Sequence, residues 1–145
     1  MSPDTWRELI KPHLKRIVDF VRSRGCMYEH HVCGKFSDIM EDLIEIGVTS
    51  TNPVQPSNDL KKMKALYGDR MTFAGGFDSQ LIMVPGLSEE AIRQSIRDTM
   101  DALAPGGSWL CKYHRDPNEP VLTGIMDDEV VKYARKFYGP RPDEV

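Results

Sequence analysis

Apolar residues recur at helical spacing in five stretches of the chain, and short β-rich runs separate them. The first stretch starts at Ser2-Pro3-Asp4, where Ser caps a helix, Pro fits its first turn and an early acid suits the helix dipole. Pro12 predicts a kink or a restart within this helix, and Gly25 ends it. Its apolar stripe consists of Trp6, Leu9, Ile10, Leu14, Ile17, Val18 and Val21.

After the leading helix, strand and helix alternate four times. Strands are predicted at about 26–33, 48–54, 71–74 and 109–113. Helices are predicted at about 38–47, 58–68, 88–105 and 127–137. This order is typical of consecutive βαβ units, which build a parallel sheet with right-handed crossovers.

Two α/β architectures fit this order, a small doubly wound sheet and part of a (β/α)8 barrel. A doubly wound sheet should carry a Gly-rich phosphate loop, and Gly75-Gly76 is too short for one. A barrel should carry polar groups at the ends of its strands. We therefore predict an α/β fold of consecutive βα units that form half of a (β/α)8 barrel, with four parallel strands and five helices. We expect the domain to span 1–139 and residues 140–145 to form a disordered tail. The polar residues at the predicted strand ends are His31 with Cys33, Asn52 with Gln55, Asp78 with Gln80, and Cys111 with His114.

Composition narrows the class of protein. A chain of 145 residues with 40% apolar and 28% charged residues suits one globular domain. The net charge of -3 predicts no nucleic-acid partner, and the lack of a long apolar run or a signal peptide predicts no membrane partner. Three cysteines do not suggest a disulfide framework, so we expect free thiols and a cytoplasmic location.

The first predicted strand carries the strongest candidate chemistry. Glu29, His31 and Cys33 alternate along it and should therefore share the face that lines the barrel interior. Imidazole and thiolate are zinc ligands, and a catalytic site needs a third protein ligand and an open position. The last strand offers Cys111, the softer ligand, or His114, which lies nearer the loop. The alternative is that Cys33 is only a small buried apolar residue.

Other polar strand ends supply further candidates. We predict Asp78 and Glu29 as catalytic carboxylates. An N-cap or turn acid is the alternative for Asp78, and a Pro-stiffened turn is the alternative for residues 52–55. The candidate cofactor-binding residues are Asn52, Gln55, Gly75 and Gly76.

Six stretches in order along the chain carry a resemblance to a known family: SPDTWRELIKP at 2–12, HVCGK at 31–35, DLIEIG at 42–47, NPVQP at 52–56, YGDR at 67–70 and AGGFD at 74–78. In these stretches the chain resembles the C-terminal half of the uroporphyrinogen decarboxylase superfamily. The resemblance implies a (β/α)8 barrel, in agreement with the fold predicted from the pattern alone.

The branch that looks most similar is the cobalamin-dependent methyltransferases. These carry H-x-C followed by a distant Cys, which together bind zinc, and the zinc holds a thiol that attacks the methyl group of a methylated corrinoid. The resemblance therefore implies zinc bound by His31 and Cys33, a corrinoid or other tetrapyrrole, and a corrinoid protein as partner. The third ligand departs from that pattern, with Cys111 placed inside the predicted strand and His114 at the loop.

Two alternatives stay open within the superfamily. Heme-pathway decarboxylases have a late His that His114 resembles, but they also need Asp and Arg residues from an N-terminal half. A non-catalytic half barrel would only assemble with a partner or bind a tetrapyrrole. In either case four parallel strands leave two unpaired edges, so we expect a homodimer or a complementary N-terminal half-barrel chain to cover them.

Overall fold

Four parallel strands form one sheet in the order β1-β2-β3-β4, which confirms the predicted parallel α/β arrangement. The computed structural model of the chain describes residues 1–78 and 86–140. The register aligns His30 with Thr51, Thr51 with Phe73, and Phe73 with Trp109. This topology is consistent with a partial (β/α)8 barrel. The strands are β1 Glu29–His31, β2 Ser50–Val54, β3 Thr72–Gly75 and β4 Trp109–Leu110.

Six α-helices accompany this sheet in the described residues, one more than predicted. The leading helix is divided in two around Ile10 because Pro12 has no N–H to continue the first helix, as its position predicted. Side chains of Ser2, Asp59 and Ser88 cap three helices, each accepting a backbone hydrogen bond three residues later. The helices are α1 Pro3–Leu9, α2 Lys11–Arg22, α3 Met40–Glu45, α4 Leu60–Tyr67, α5 Glu89–Leu103 and α6 Pro120–Tyr138.

Three predicted elements have bounds that differ from the structure by three residues or more. The first strand is Glu29–His31 rather than 26–33, and the last is Trp109–Leu110 rather than 109–113. Both are edge strands that pair on one side only, so little hydrogen bonding extends them. The last helix begins at Pro120 rather than near 127. Of the remaining predictions, Gln80 and residues 141–145 of the tail lie outside the described residues.

The two faces of the sheet differ in burial. Thr51, Phe73 and Trp109 lie on one face and are buried beneath the helices. Glu29, His31 and Leu110 lie on the other face and are exposed. A closed barrel would enclose this second face, so the polar candidates of β1 lie where a barrel interior would be.

The buried face carries one unsatisfied hydroxyl. Thr51 is 0% exposed, and its Oγ1 has no hydrogen-bond partner among the residues that the structure describes. Thr51→Val keeps the shape and removes the unsatisfied group, so we expect it to stabilise the fold by about 1 kcal/mol. Urea denaturation should show a higher midpoint at an unchanged slope. A lower midpoint for Thr51→Val than for the parent protein would contradict this expectation.

Helix α6 is fixed to α5 by a partly buried network of charges. The Glu129 carboxylate is 7% exposed and accepts hydrogen bonds from Arg97 Nε at 2.6 Å and Arg93 Nη1 at 2.8 Å. The hydrogen bond from Arg97 is the main cause that lowers the pKa of Glu129, against the opposing effect of burial. The network sets the position of α6 and therefore of its first turns, which approach the carboxyl ends of the strands.

No helix in residues 1–78 and 86–140 has the length and apolar character needed to cross a membrane.

Candidate metal and ligand site

The end of β1 brings His31 and Cys33 together, as their alternation along the strand predicted. His31 Nε2 lies 3.5 Å from Cys33 Sγ, and both residues are exposed. The chain stays extended past the end of the strand because Val32 N donates to Asn52 O at 2.9 Å. An imidazole and a thiol are thus presented side by side at the carboxyl end of an edge strand.

This spacing can be compared with the geometry of a zinc site. Zn–N bonds of about 2.0–2.1 Å and Zn–S bonds of about 2.3 Å at the tetrahedral angle place nitrogen and sulfur about 3.6 Å apart. The separation of 3.5 Å between His31 Nε2 and Cys33 Sγ matches that value. The pair therefore fits two corners of a tetrahedral zinc site.

The third predicted ligand is not brought to this pair. Within residues 1–78 and 86–140, no three His, Cys, Asp or Glu side chains are grouped closely enough to hold a metal ion. Cys111 directly follows β4 instead of lying inside a strand, and shielding of its thiol from water raises its pKa to about 11. His114 lies three residues further on and lines a separate cavity.

Glu29 stands at the centre of a polar cluster on the exposed face of the sheet. Its Oε1 accepts hydrogen bonds from Asn52 Nδ2 at 3.1 Å and Lys112 Nζ at 3.2 Å, and its Oε2 accepts one from Ser50 Oγ at 3.4 Å. Four strands spaced about 4.8 Å apart in a flat sheet would hold the first and last about 14 Å apart. Two long side chains can bridge such a distance, and the contact of Glu29 with Lys112 links β1 to the segment after β4 across the exposed face.

Sequence reasoning missed Lys112, although a signal for it exists. Lys112 follows Leu110 by two residues and so continues the exposed side of β4. The predicted candidates Glu29 and Asn52 do meet, but each is bonded to the other rather than directed at an open space.

Gln55 and Asn58 hold the loop that follows the His31/Cys33 pair. Gln55 Oε1 accepts a hydrogen bond from Gly34 N, so this predicted cofactor-binding residue contacts the protein's own loop. Asn58 is 1% exposed; its Oδ1 accepts from Phe36 N at 2.9 Å and Ser37 N at 3.2 Å. Its Nδ2 donates to Gly34 O at 2.8 Å and Gln55 O at 3.1 Å. The sequence marked Asn58 only as the start of a helix, and the four bonds show a second role.

The remaining predicted residues have positions set by packing. Gly75 and Gly76 have φ angles of 96° and 104°, a region that disfavours side chains. A Cβ at Gly76 would lie 2.5 Å from Leu103 Cδ1, so this glycine lets the chain pass close to α5. Asp78 lines a cleft between α4 and α5 rather than the face that carries Glu29.

A cavity of about 320 Å³ lies at the carboxyl ends of the strands, beside the first turns of α6. Its position is fixed by Tyr113 and Arg115, which both contact the Asp127 carboxylate, Arg115 at 2.8 Å. The apolar residues of its wall are Pro53, Phe77, Tyr113, Leu122 and Met126, and the polar ones include Lys112, His114, Asp116, Glu119 and Thr123.

Most of this chain is similar in sequence to known proteins. The model of a family described as "Uroporphyrinogen decarboxylase (URO-D)" matches residues 1–111. The methylcobamide:CoM methyltransferase MtaA of Methanosarcina barkeri is 29% identical over 110 residues, which cover 73% of this chain and 31% of that protein. The MtaA protein of the strain Fusaro / DSM 804 is 26% identical with the same coverage. The chain thus spans about a third of the length of these relatives, and the family match includes Cys111 but ends before His114.

Proposed function

The chain belongs to the uroporphyrinogen decarboxylase family, and we propose that it takes part in zinc-dependent methyl transfer from a methylated corrinoid to a thiol acceptor. The observation that carries this proposal is the 3.5 Å separation of His31 Nε2 and Cys33 Sγ at the carboxyl end of β1. The relatives named as methylcobamide:CoM methyltransferases support the same reaction class.

In the proposed reaction the acceptor is deprotonated, and its sulfur forms a bond with the methyl carbon. The cobalt–carbon bond breaks, and its electron pair stays with the corrinoid. Zinc, when bound, supplies the charge that makes the acceptor thiol acidic near neutral pH. His31 and Cys33 would hold the metal, and Glu29, fixed by Asn52 and Lys112, would keep a carboxylate on the same face.

Cys111 or His114 would complete the ligand set. The position of Cys111 inside the family match favours it. The contact of Lys112 with Glu29 also favours it, because Cys111 is the chain neighbour of a residue whose side chain reaches the Glu29 side chain of β1. His114 is further along the loop and would have to leave the wall of the cavity.

The activity would also need the rest of a barrel. The described sheet has four strands, and its edges β1 and β4 are open, whereas a (β/α)8 barrel has eight. A complementary N-terminal half-barrel, or a second copy of this chain, would cover these edges. Exposed apolar residues on the outer helices, Ile17 and Phe20 of α2 and Val131 and Tyr138 of α6, suit such contacts. A corrinoid protein would then deliver the methyl donor at the carboxyl ends of the strands.

The metal content of the purified protein tests the proposal. Protein prepared without added zinc should contain about one zinc per chain, or should bind one on titration of the metal-free protein. Once a complementary half-barrel or a second copy of the chain covers the sheet edges, the zinc-loaded protein should also accelerate transfer of the methyl group from methylcobalamin to a thiol acceptor. Visible absorbance of the corrinoid follows this reaction. A folded protein that neither contains nor binds zinc would contradict the proposal.

A further inference from the structure

The cavity beside α6 differs from the rest of the site in its chemistry. Its volume of about 320 Å³ lies at the low end of the range for small-molecule sites and is roughly twice that of a cavity able to hold benzene. Most of its wall is apolar, in contrast to the Glu29 cluster that adjoins it through Lys112. A cavity of this size can hold about one ring-sized group together with a short substituent.

Aromatic side chains shape the wall. Phe77 contacts Tyr113 edge-to-face with ring centroids 5.7 Å apart, and it contacts Trp109 at 6.1 Å. Trp109 is held in place because its Nε1 donates to Gly75 O at 2.9 Å. Met126 is 5% exposed and adds a thioether to the wall. Aromatic edges and a methionine sulfur both favour an aromatic ring over an aliphatic one of equal size, by about 0.5–1.5 kcal/mol per contact.

The wall is formed largely by residues that lie beyond the family match. The family match ends at Cys111, whereas Tyr113, Leu122 and Met126 lie beyond it. These three residues are also well positioned before any ligand binds, because the contacts of Tyr113 and Arg115 with Asp127 fix the loop to α6. The loop after β4 and the first turns of α6 therefore determine much of the shape of the cavity.

We propose that this cavity binds the ring of a small aromatic thiol, which is the methyl acceptor of this protein. Lys112 both lines the cavity and contacts Glu29 at 3.2 Å, so a substituent leaving the cavity at Lys112 reaches the face that carries His31 and Cys33. The role of the ligand as acceptor rests on the proposed function, whereas the binding of an aromatic ring does not.

Benzyl alcohol, a non-oxidising analogue of an aromatic thiol, is a suitable probe for the cavity. Its binding can be followed by NMR of methionine methyl groups, since Met126 lines the cavity and the ring current of a bound probe shifts its signal. We expect a saturable shift of the Met126 methyl signal, with Met27, which is 84% exposed, as internal reference. Cyclohexylmethanol, of matched shape without the aromatic ring, should bind about three- to tenfold more weakly.

Two variants of adjacent residues test whether benzyl alcohol binds in this cavity. Leu122→Trp places an indole in the cavity and should weaken benzyl alcohol binding at least tenfold. Val121→Trp adds the same group at a residue that is 75% exposed and should leave binding unchanged. Equal binding of the two alcohols, no shift of Met126, or an unchanged affinity in Leu122→Trp would each overturn the proposal.

The His31→Ala protein separates this inference from the metal proposal. Benzyl alcohol should bind it as tightly as the parent, since His31 does not line the cavity. Probe binding by a parent protein that neither contains nor binds zinc would support the cavity while the metal proposal fails. Zinc binding without any probe binding would do the reverse.

Discussion

Cys33→Ala should lower the zinc affinity of this protein by more than about a hundredfold, because it removes one of the proposed first ligands. His31, the remaining proposed ligand of the pair, would then have no thiol beside it, since the lost Cys33 Sγ lies 3.5 Å from His31 Nε2. Cys33 is exposed, so the substitution should change the free energy of unfolding by no more than about 0.5 kcal/mol. Zinc content per chain after dialysis, measured by mass spectrometry of the metal, would show the loss in a protein that remains folded.

Cys26→Ala is the matched control for this experiment. Cys26 lies seven residues before Cys33, is also exposed, and its Sγ donates a hydrogen bond to Arg24 O at 3.8 Å. It should retain the zinc content of the parent. The same measurement on Cys111→Ala and His114→Ala identifies the third ligand, since only one of them should lose the metal. Full zinc content in Cys33→Ala would refute the assignment of His31 and Cys33.

The order of elements could be predicted because local signals determine it. Ser caps, glycine stops and the proline at residue 12 set the helices, and they act within one or two turns of the chain. The strand period placed His31 and Cys33 on one side for the same local reason. The start of α6 was missed because no side chain caps the helix at Glu119, although Leu122, Ile125 and Met126 extend its apolar stripe before residue 127.

The rest of the site depends on contacts between distant parts of the chain. Lys112 meets Glu29 across 83 residues because one sheet carries both edge strands, and no local pattern states which residues meet on its exposed face. The cavity forms where α6 meets the strand ends, so its walls follow from the ion pairs of Glu129 with α5. Contacts between distant residues produce no periodic pattern in a single sequence, so the site could not be predicted from such a pattern.

The hydrogen bonds of Asn58 also join distant parts of the chain, and replacing this residue should strongly reduce the stability of the protein. Asn58→Ala should lower the free energy of unfolding by about 3–4 kcal/mol, because it removes four hydrogen bonds of a side chain that is 1% exposed. Each such bond contributes about 1 kcal/mol, and the alanine leaves the Phe36 N–H and the Gly34 carbonyl buried without a partner. Urea denaturation should show the lower midpoint.

Asn118→Ala is the control for this loss. The Asn118 side chain is exposed and donates to Asp116 Oδ1 within the same turn, so its removal should change stability by less than about 0.5 kcal/mol. If Asn58→Ala were as stable as Asn118→Ala, the loop after Cys33 would not depend on the Asn58 amide. If it is destabilised as expected, faster amide hydrogen exchange at Phe36 and Ser37 should accompany the loss. Because Asn58 also bonds Gly34 O, next to Cys33, a buried amide some 25 residues away then determines whether the candidate metal pair is presented on a fixed loop.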